Sequence, residues 1–108
     1  MTVNEFTQKL GLEVLSAGDT EREIHGAYAG DLLSWVMGRA GEGCVWATIM
    51  TNVNVVAVAS LADVAAAVIC EKSEIPEDVI STAKEKSVTL LRTPLPMYEF
   101  CVEASKLL

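Results

Sequence analysis

Basic residues are scarce in this chain. Lys and Arg together number eight against fifteen Asp and Glu, leaving a formal net charge of −7, and the eight are scattered singly. Neutralising nucleic-acid phosphates or an anionic bilayer needs clustered Lys and Arg. Nucleic acid and membrane surfaces are therefore excluded as partners. Histidine occurs once, as His25, so a Ser-His-Asp arrangement would have to be built around that residue, and no G-x-S-x-G elbow is present. The three cysteines, Cys44, Cys70 and Cys101, are an odd set without C-x-x-C spacing. With one histidine they lack the close ligand pairs that begin a zinc site. Cys44 and Cys70 lie inside apolar runs, where thiols pack as small hydrophobes, which predicts a reducing compartment.

Phosphate-binding signatures are also missing. No glycine precedes a lysine in the G-x-x-x-x-G-K-[ST] frame, which excludes a Walker-type kinase. Gly38, Gly41 and Gly43 follow a helical pattern and precede a strand pattern, the reverse of the order a dinucleotide fingerprint requires. They read as turn formers. The acidic residues Glu71, Glu74, Glu77 and Asp78 do not match a calcium loop and read as a solvated helix start. The first dozen residues have no basic start and no continuous apolar stretch, so no secretory signal is predicted. Val53 to Cys70 is the most apolar stretch, but Asp63 in its middle would cost about 2.5–3.5 kcal/mol in a bilayer, and Asn54 and Ser60 add to that. These features predict a cytoplasmic protein.

What is present is a regular alternation of patterns over one domain, residues 1–108, with no repeat or linker. Thr2 and Glu5 stand in capping-box spacing before a helix to Leu10, with Val3, Phe6 and Leu10 on one face. Leu12–Leu15 and Ile24–Ala29 read as strands, separated by a polar loop. From Asp31 to Ala40 the positions Leu32, Leu33, Val36, Met37 and Ala40 form one helical stripe. Cys44–Met50 and Val64–Cys70 are apolar throughout, as strands covered on both faces are. The segment between them, Val55–Ala62, mixes Val with Ala and Leu. It is read as a helix, because two fully apolar strands need a crossover to pair in parallel. Pro76, Glu77 and Asp78 open a further helix whose buried side is Val79, Ile80 and Ala83. Val88–Leu91 is a strand, and a last helix after Pro94 carries Met97, Phe100, Cys101, Ala104 and Leu107. The order predicts an α/β fold: a mostly parallel sheet of about 4–5 strands with helices on its faces.

In open parallel sheets, ligands bind beyond the carboxyl ends of the strands. That rule selects Asp31, Thr51, Asn52, Asn54, Arg92 and Thr93 as candidate ligand-binding residues. Thr51, Asn52 and Asn54 can hydrogen-bond near a helix N-terminus, and Arg92 supplies the positive charge that a nucleotide phosphate or another small anion prefers. Capping by Thr51 or Asn52 and a surface Arg92 is the competing reading. No catalytic residue set, metal site or bound cofactor is predicted. Trp35 points about 130° from the centre of its helix's apolar stripe at 100° per residue, outside the core. An exposed Trp is a frequent interface anchor, and Tyr28 would extend the patch if its strand lies at the sheet edge.

The segment Asp19 to Tyr28 (DTEREIHGAY), followed by Asp31-Leu32-Leu33, Trp46 to Asn54 (WATIMTNVN) and Leu91-Arg92-Thr93-Pro94, resembles the DRTGG domain family over nearly the whole chain. Asp19, Arg22 and Gly26 match its signature, whereas His25 and Ala27 stand where Thr and a second Gly are expected. The resemblance implies a regulatory α/β unit that dimerises. Members occur alone, beside CBS domains in regulated pyrophosphatases, and in relation to the N-terminal part of HPr kinase. It further implies a role accessory to redox (hydrogenase-type) or energy metabolism. A serine-kinase activity is not carried over, because that kinase's phosphate loop lies in a domain absent here. The resulting expectation is a non-catalytic ligand-binding or protein-interaction module, its partners being a second copy or another protein. The alternatives are a small enzyme acting on a small anionic substrate and a structural subunit of a larger assembly.

Overall fold

The first helix forms where its capping box predicts. In the computed structural model, which describes residues 1–108, Thr2 Oγ1 accepts from the Glu5 amide at 3.2 Å. The Glu5 carboxylate accepts from the Thr2 amide at 3.0 Å. This closes the start of α1 (Val3–Leu10), and Gly11 at φ 62° ends it, in a left-handed conformation that glycine adopts without steric cost.

Four further helices alternate with five strands: β1 (Glu13–Ser16), β2 (Ala27–Ala29), α2 (Leu33–Arg39), β3 (Val45–Thr48), α3 (Val53–Leu61), β4 (Ala66–Ile69), α4 (Glu77–Glu85), β5 (Leu90–Arg92) and α5 (Met97–Ser105). The sheet runs β1-β5-β4-β3-β2. Its last four strands are parallel, and β1 joins β5 antiparallel at the far edge. Every residue of β3 and β4 is buried, which explains why those two runs are apolar throughout. Val53–Leu61 is helical, as two parallel neighbours required.

The two faces are covered differently. Val36 of α2, Val55, Val56, Val58 and Ala59 of α3, and Val79 and Ala83 of α4 pack with Trp46 and Leu90 on one face. On the other, Val3 and Phe6 of α1 and Phe100 and Ala104 of α5 pack on Val45, Val68 and Leu91. The Phe6 and Phe100 rings meet edge to face at 6.2 Å. The chain therefore leaves β2, β3 and β4 towards one face and leaves β5 towards the other.

Two sequence expectations need correction. The strand expected over Ile24–Ala29 is only Ala27–Ala29, because Gly26 turns the backbone at φ 93° just before it. Ile24 instead enters the core beside α1, its amide bonded to the Met1 carbonyl at 3.0 Å. The stripe expected on α2 is also narrower. Val36 is buried and Leu33 and Ala40 pack on the core, but Leu32 and Met37 are 58% and 41% exposed. Leu32 precedes the helix as its N-cap, so the helical spacing that put it on the stripe does not apply.

Helix α4 ends at Lys86, and Ser87 follows at φ 54°, a left-handed conformation for a residue whose Cβ opposes it. The Val88 amide returns to the Ala83 carbonyl at 2.9 Å, as in a helix stop normally built on glycine. The left-handed conformation costs a non-glycine residue about 1–2 kcal/mol. Glycine's freer unfolded chain gives back about 0.4–1 kcal/mol of that. Ser87→Gly should therefore stabilise the domain by about 0.5–1 kcal/mol, read as a later urea midpoint with unchanged slope.

Candidate functional site

At the carboxyl edge, the chain turns in opposite directions after neighbouring strands β4 and β5, the arrangement that opens a crevice in α/β sheets. An open depression of about 540 Å³ lies there, lined by Gly11, Glu13, Lys72, Glu74, Arg92 and Pro94. Arg92 ends β5 and Glu13 begins β1, and the antiparallel pairing of these strands sets the two residues opposite each other. The Arg92 Nε and Nη2 donate to the Glu13 carboxylate oxygens at 2.9 and 3.0 Å, and Nη1 reaches the Ser73 carbonyl at 3.3 Å. The expected positive charge is thus present but occupied. Two carboxylates and two cations line the depression, so a bound anion would compete with Glu13 for Arg92.

Lys72 is carried into the depression by a strained turn. Glu71 and Lys72 have φ of 70° and 59°, an uncommon pair for non-glycine residues. The turn is held by Glu71 N–H to the Leu95 carbonyl at 2.9 Å, Lys72 N–H to the Thr93 carbonyl at 3.2 Å, and Ser73 Oγ to the Cys70 carbonyl at 3.0 Å. Thr93 is buried beneath this turn, its Oγ1 accepting from the Leu95 amide at 3.3 Å. It supports the turn and offers nothing to solvent.

The other sequence-selected residues sit farther along the same edge. Asp31 Oδ1 accepts from Thr48 Oγ1 at 2.7 Å and from the Ile49 amide at 2.9 Å, tying the ends of β2 and β3. Asn52 caps α3, accepting from the Asn54 amide at 2.9 Å, while Thr51 is half-buried and Asn54 exposed. Strands are about 4.8 Å apart, so the ends of β2 and β3 stand roughly 14 and 10 Å from that of β5. Arg92 therefore shares the depression with Lys72, and Asp31, Thr51, Asn52 and Asn54 do not line it. Glu13, Lys72 and Glu74 were not selected from sequence. Only the strand order, with β1 beside β5, reveals Glu13.

Asp19, Arg22 and Gly26 lie at the opposite, amino edge. There a pocket of about 110 Å³ is lined by Asp19, Arg22, Ser60, Asp63, Lys86 and Ser87 among others. Arg22 makes a paired contact with the Asp63 carboxylate at 2.8 and 3.1 Å and reaches the Asp63 carbonyl at 3.1 Å. This fastens the β1–β2 connection to the turn after α3. Hydrogen bonding to Arg22 holds the Asp63 carboxyl below the usual carboxylate range. Its stabilising effect is present above the unfolded carboxyl's value and is lost as pH falls through the lowered folded value. Asp63 is 56% exposed, so screening limits the effect to about 1 kcal/mol or less. Gly26 supplies its positive φ, and His25 beside it is exposed.

The thiols are not activated. Burial, and then the nearby Cys101 and acidic groups, push the Cys70 thiol up to about 12. Burial raises Cys44 and Cys101 as well. A nucleophilic cysteine needs the opposite shift. No helix is long and apolar enough to cross a membrane, and nowhere do three His, Cys, Asp or Glu side chains converge as metal ligands.

These features define a five-stranded, mostly parallel α/β domain with an open depression lined by four charged residues at its carboxyl edge. No family model and no curated protein matches its sequence. Among solved structures, the fold is similar to that of the CBS and DRTGG domains of the regulatory region of Clostridium perfringens pyrophosphatase, crystallised in complex with its activator, diadenosine tetraphosphate. The TM-score is 0.74 at 15% identity, over 98% of this chain and 45% of that one. This chain thus spans less than half the length of that structure, and at this identity the likeness is one of fold.

Proposed function

We propose that this chain is a non-catalytic regulatory module whose input is a small anionic ligand, with a nucleotide as the leading class, bound in the depression at the carboxyl edge. The observation that carries the reading is the position of Arg92 and Lys72 in an open depression, lined by no hydrophobic residue, where the connections after β4 and β5 diverge. The fold's likeness to a regulatory region crystallised with a dinucleotide activator supports the same class of input. Glu13 then acts as a resident counter-ion that the ligand displaces. A structural subunit, or an accessory to a redox or energy-metabolism system, would need no ligand response.

The test is a thermal-shift titration of the full chain with AMP, ATP, diadenosine tetraphosphate and inorganic phosphate. A saturable stabilisation by at least one of them is expected. Lys72→Ala and Arg92→Ala should each weaken it several-fold, whereas Glu13→Gln should strengthen it by freeing Arg92. If no anion shifts the melting temperature, or if the Glu13 and Lys72 variants respond as wild type does, the depression is not the input site.

A further inference from the structure

We infer that the pocket at the amino edge is a second, separate site, which takes a small free α-amino acid with its carboxylate inward and its ammonium at the mouth. The pocket holds about 110 Å³, too little for a nucleotide and enough for one molecule of a few heavy atoms. Its mouth carries charge of both signs. Arg22 and Asp63 are spent on each other, and Glu42 stands beside them. Asp19 and Lys86 have no ion-pair partner. One Asp19 oxygen accepts from the Glu21 amide at 3.1 Å, and the other is free to accept from a ligand. With Glu42 counted, carboxylates outnumber cations here, which favours an ammonium at the mouth and disfavours a ligand of net negative charge.

Unpaired charges at a surface are ordinary, and the floor is what gives this pocket its direction. Thr89, on the floor, is 4% exposed. Its carbonyl accepts from the Ala67 amide of β4 at 3.0 Å, but its own N–H, on the same side of the chain, has no partner. Its hydroxyl accepts from the Gly18 amide at 3.0 Å and donates to no group. A buried donor left unused retains its desolvation cost, and native structures keep few such groups without a partner. Two unspent donors on one buried residue suit an oxyanion. Lys86, Ser60 and Ser87, whose side chains make no bond within the chain, supply further donors around it. Ser87 also holds φ 54°, where glycine would be the more stable residue, so its side chain persists against a cost in stability that a ligand contact explains. A molecule with an oxyanion at one end, an ammonium at the other and little bulk between them is a small α-amino acid. A simple carboxylate would leave Asp19 unmatched, and a simple amine would leave Thr89 unmatched.

This site shares no residue with the carboxyl-edge depression, so the two readings fail separately. Isothermal titration of the full chain with glycine, L-alanine and L-serine should give saturable binding of at least one of them at millimolar concentration or below. The N-acetyl derivative of that amino acid lacks the ammonium and its amide lacks the carboxylate. Each should bind about tenfold more weakly or worse, as should propionate and ethylamine. Asp19→Asn and Lys86→Gln, both at exposed positions, should each weaken the amino acid about tenfold. Ser87→Gly should weaken it several-fold while resisting urea better than wild type, a combination that a merely structural serine would not produce. Lys72→Ala should leave it unchanged. The inference is overturned if none of the three amino acids binds, or if a derivative lacking one charge binds as tightly as the parent. It is overturned equally if Asp19→Asn and Ser87→Gly both bind as wild type does, or if Lys72→Ala abolishes binding.

Discussion

Trp46→Ala should remove about 3–5 kcal/mol from the stability of the domain, a large share of the roughly 5–15 kcal/mol that holds such domains folded. The indole is fully buried in the cluster beneath α2 and α3, among Val36, Val55 and Val56. Its strand is interior to the sheet, with β2 on one side and β4 on the other. The indole Nε1 also donates to the Gly30 carbonyl at 2.9 Å, so the ring fixes the end of β2 as well as filling the core. Trp46→Phe separates the two contributions. It keeps most of the apolar contact and loses the hydrogen bond, and it should cost about 1–3 kcal/mol. Urea denaturation at one fixed protein concentration measures both, since self-association would otherwise raise the apparent stability. Equal losses for Ala and Phe would mean that the cavity contributes nothing, contrary to the packing described.

Much of the architecture is legible in the sequence because burial on both faces leaves a plain mark. Val45–Thr48 and Ala66–Ile69 contain no charge, and two such runs can be parallel only if the chain between them crosses over. That single constraint makes Val53–Leu61 a helix, although its valines taken alone favour a strand. Pairing partners are harder to read. Nothing in Glu13-Val14-Leu15-Ser16 says that it will lie against Leu90-Leu91-Arg92, more than seventy residues away, and antiparallel to it. The Glu13–Arg92 pair follows from that register and was invisible without it. The candidate ligand residues were spread along one edge for the same reason. The rule that ligands gather at strand ends selects every strand end alike, whereas the crevice opens only where successive connections leave in opposite directions.

Asp31 sits at a strand end with a carboxylate, and its replacement should show whether that group serves the fold or a ligand. Asp31→Ala should destabilise the domain by about 2–3 kcal/mol, because two donors lose their acceptor at once. One is the hydroxyl of Thr48, whose side chain is fully buried, and a buried donor left without a partner retains its whole desolvation cost. The Thr48 Oγ1 also accepts from the Met50 amide at 3.2 Å, so its orientation, and with it the exit from β3 towards Asn52, depends on the hydroxyl donating to the Asp31 carboxylate. The second donor, the Ile49 amide, is closer to solvent and can turn to water at lower cost. Asp31→Asn keeps an oxygen in the same place and should recover more than half of the loss. The comparison with ligand then separates the roles. If Asp31 is structural, the Asn variant should bind the anions that stabilise wild type with unchanged affinity. If its charge faces a bound anion, removing that charge should tighten binding several-fold at low ionic strength and less as salt is added. An Asn variant as unstable as the Ala variant would show that the negative charge itself, rather than the acceptor position, holds the ends of β2 and β3 together.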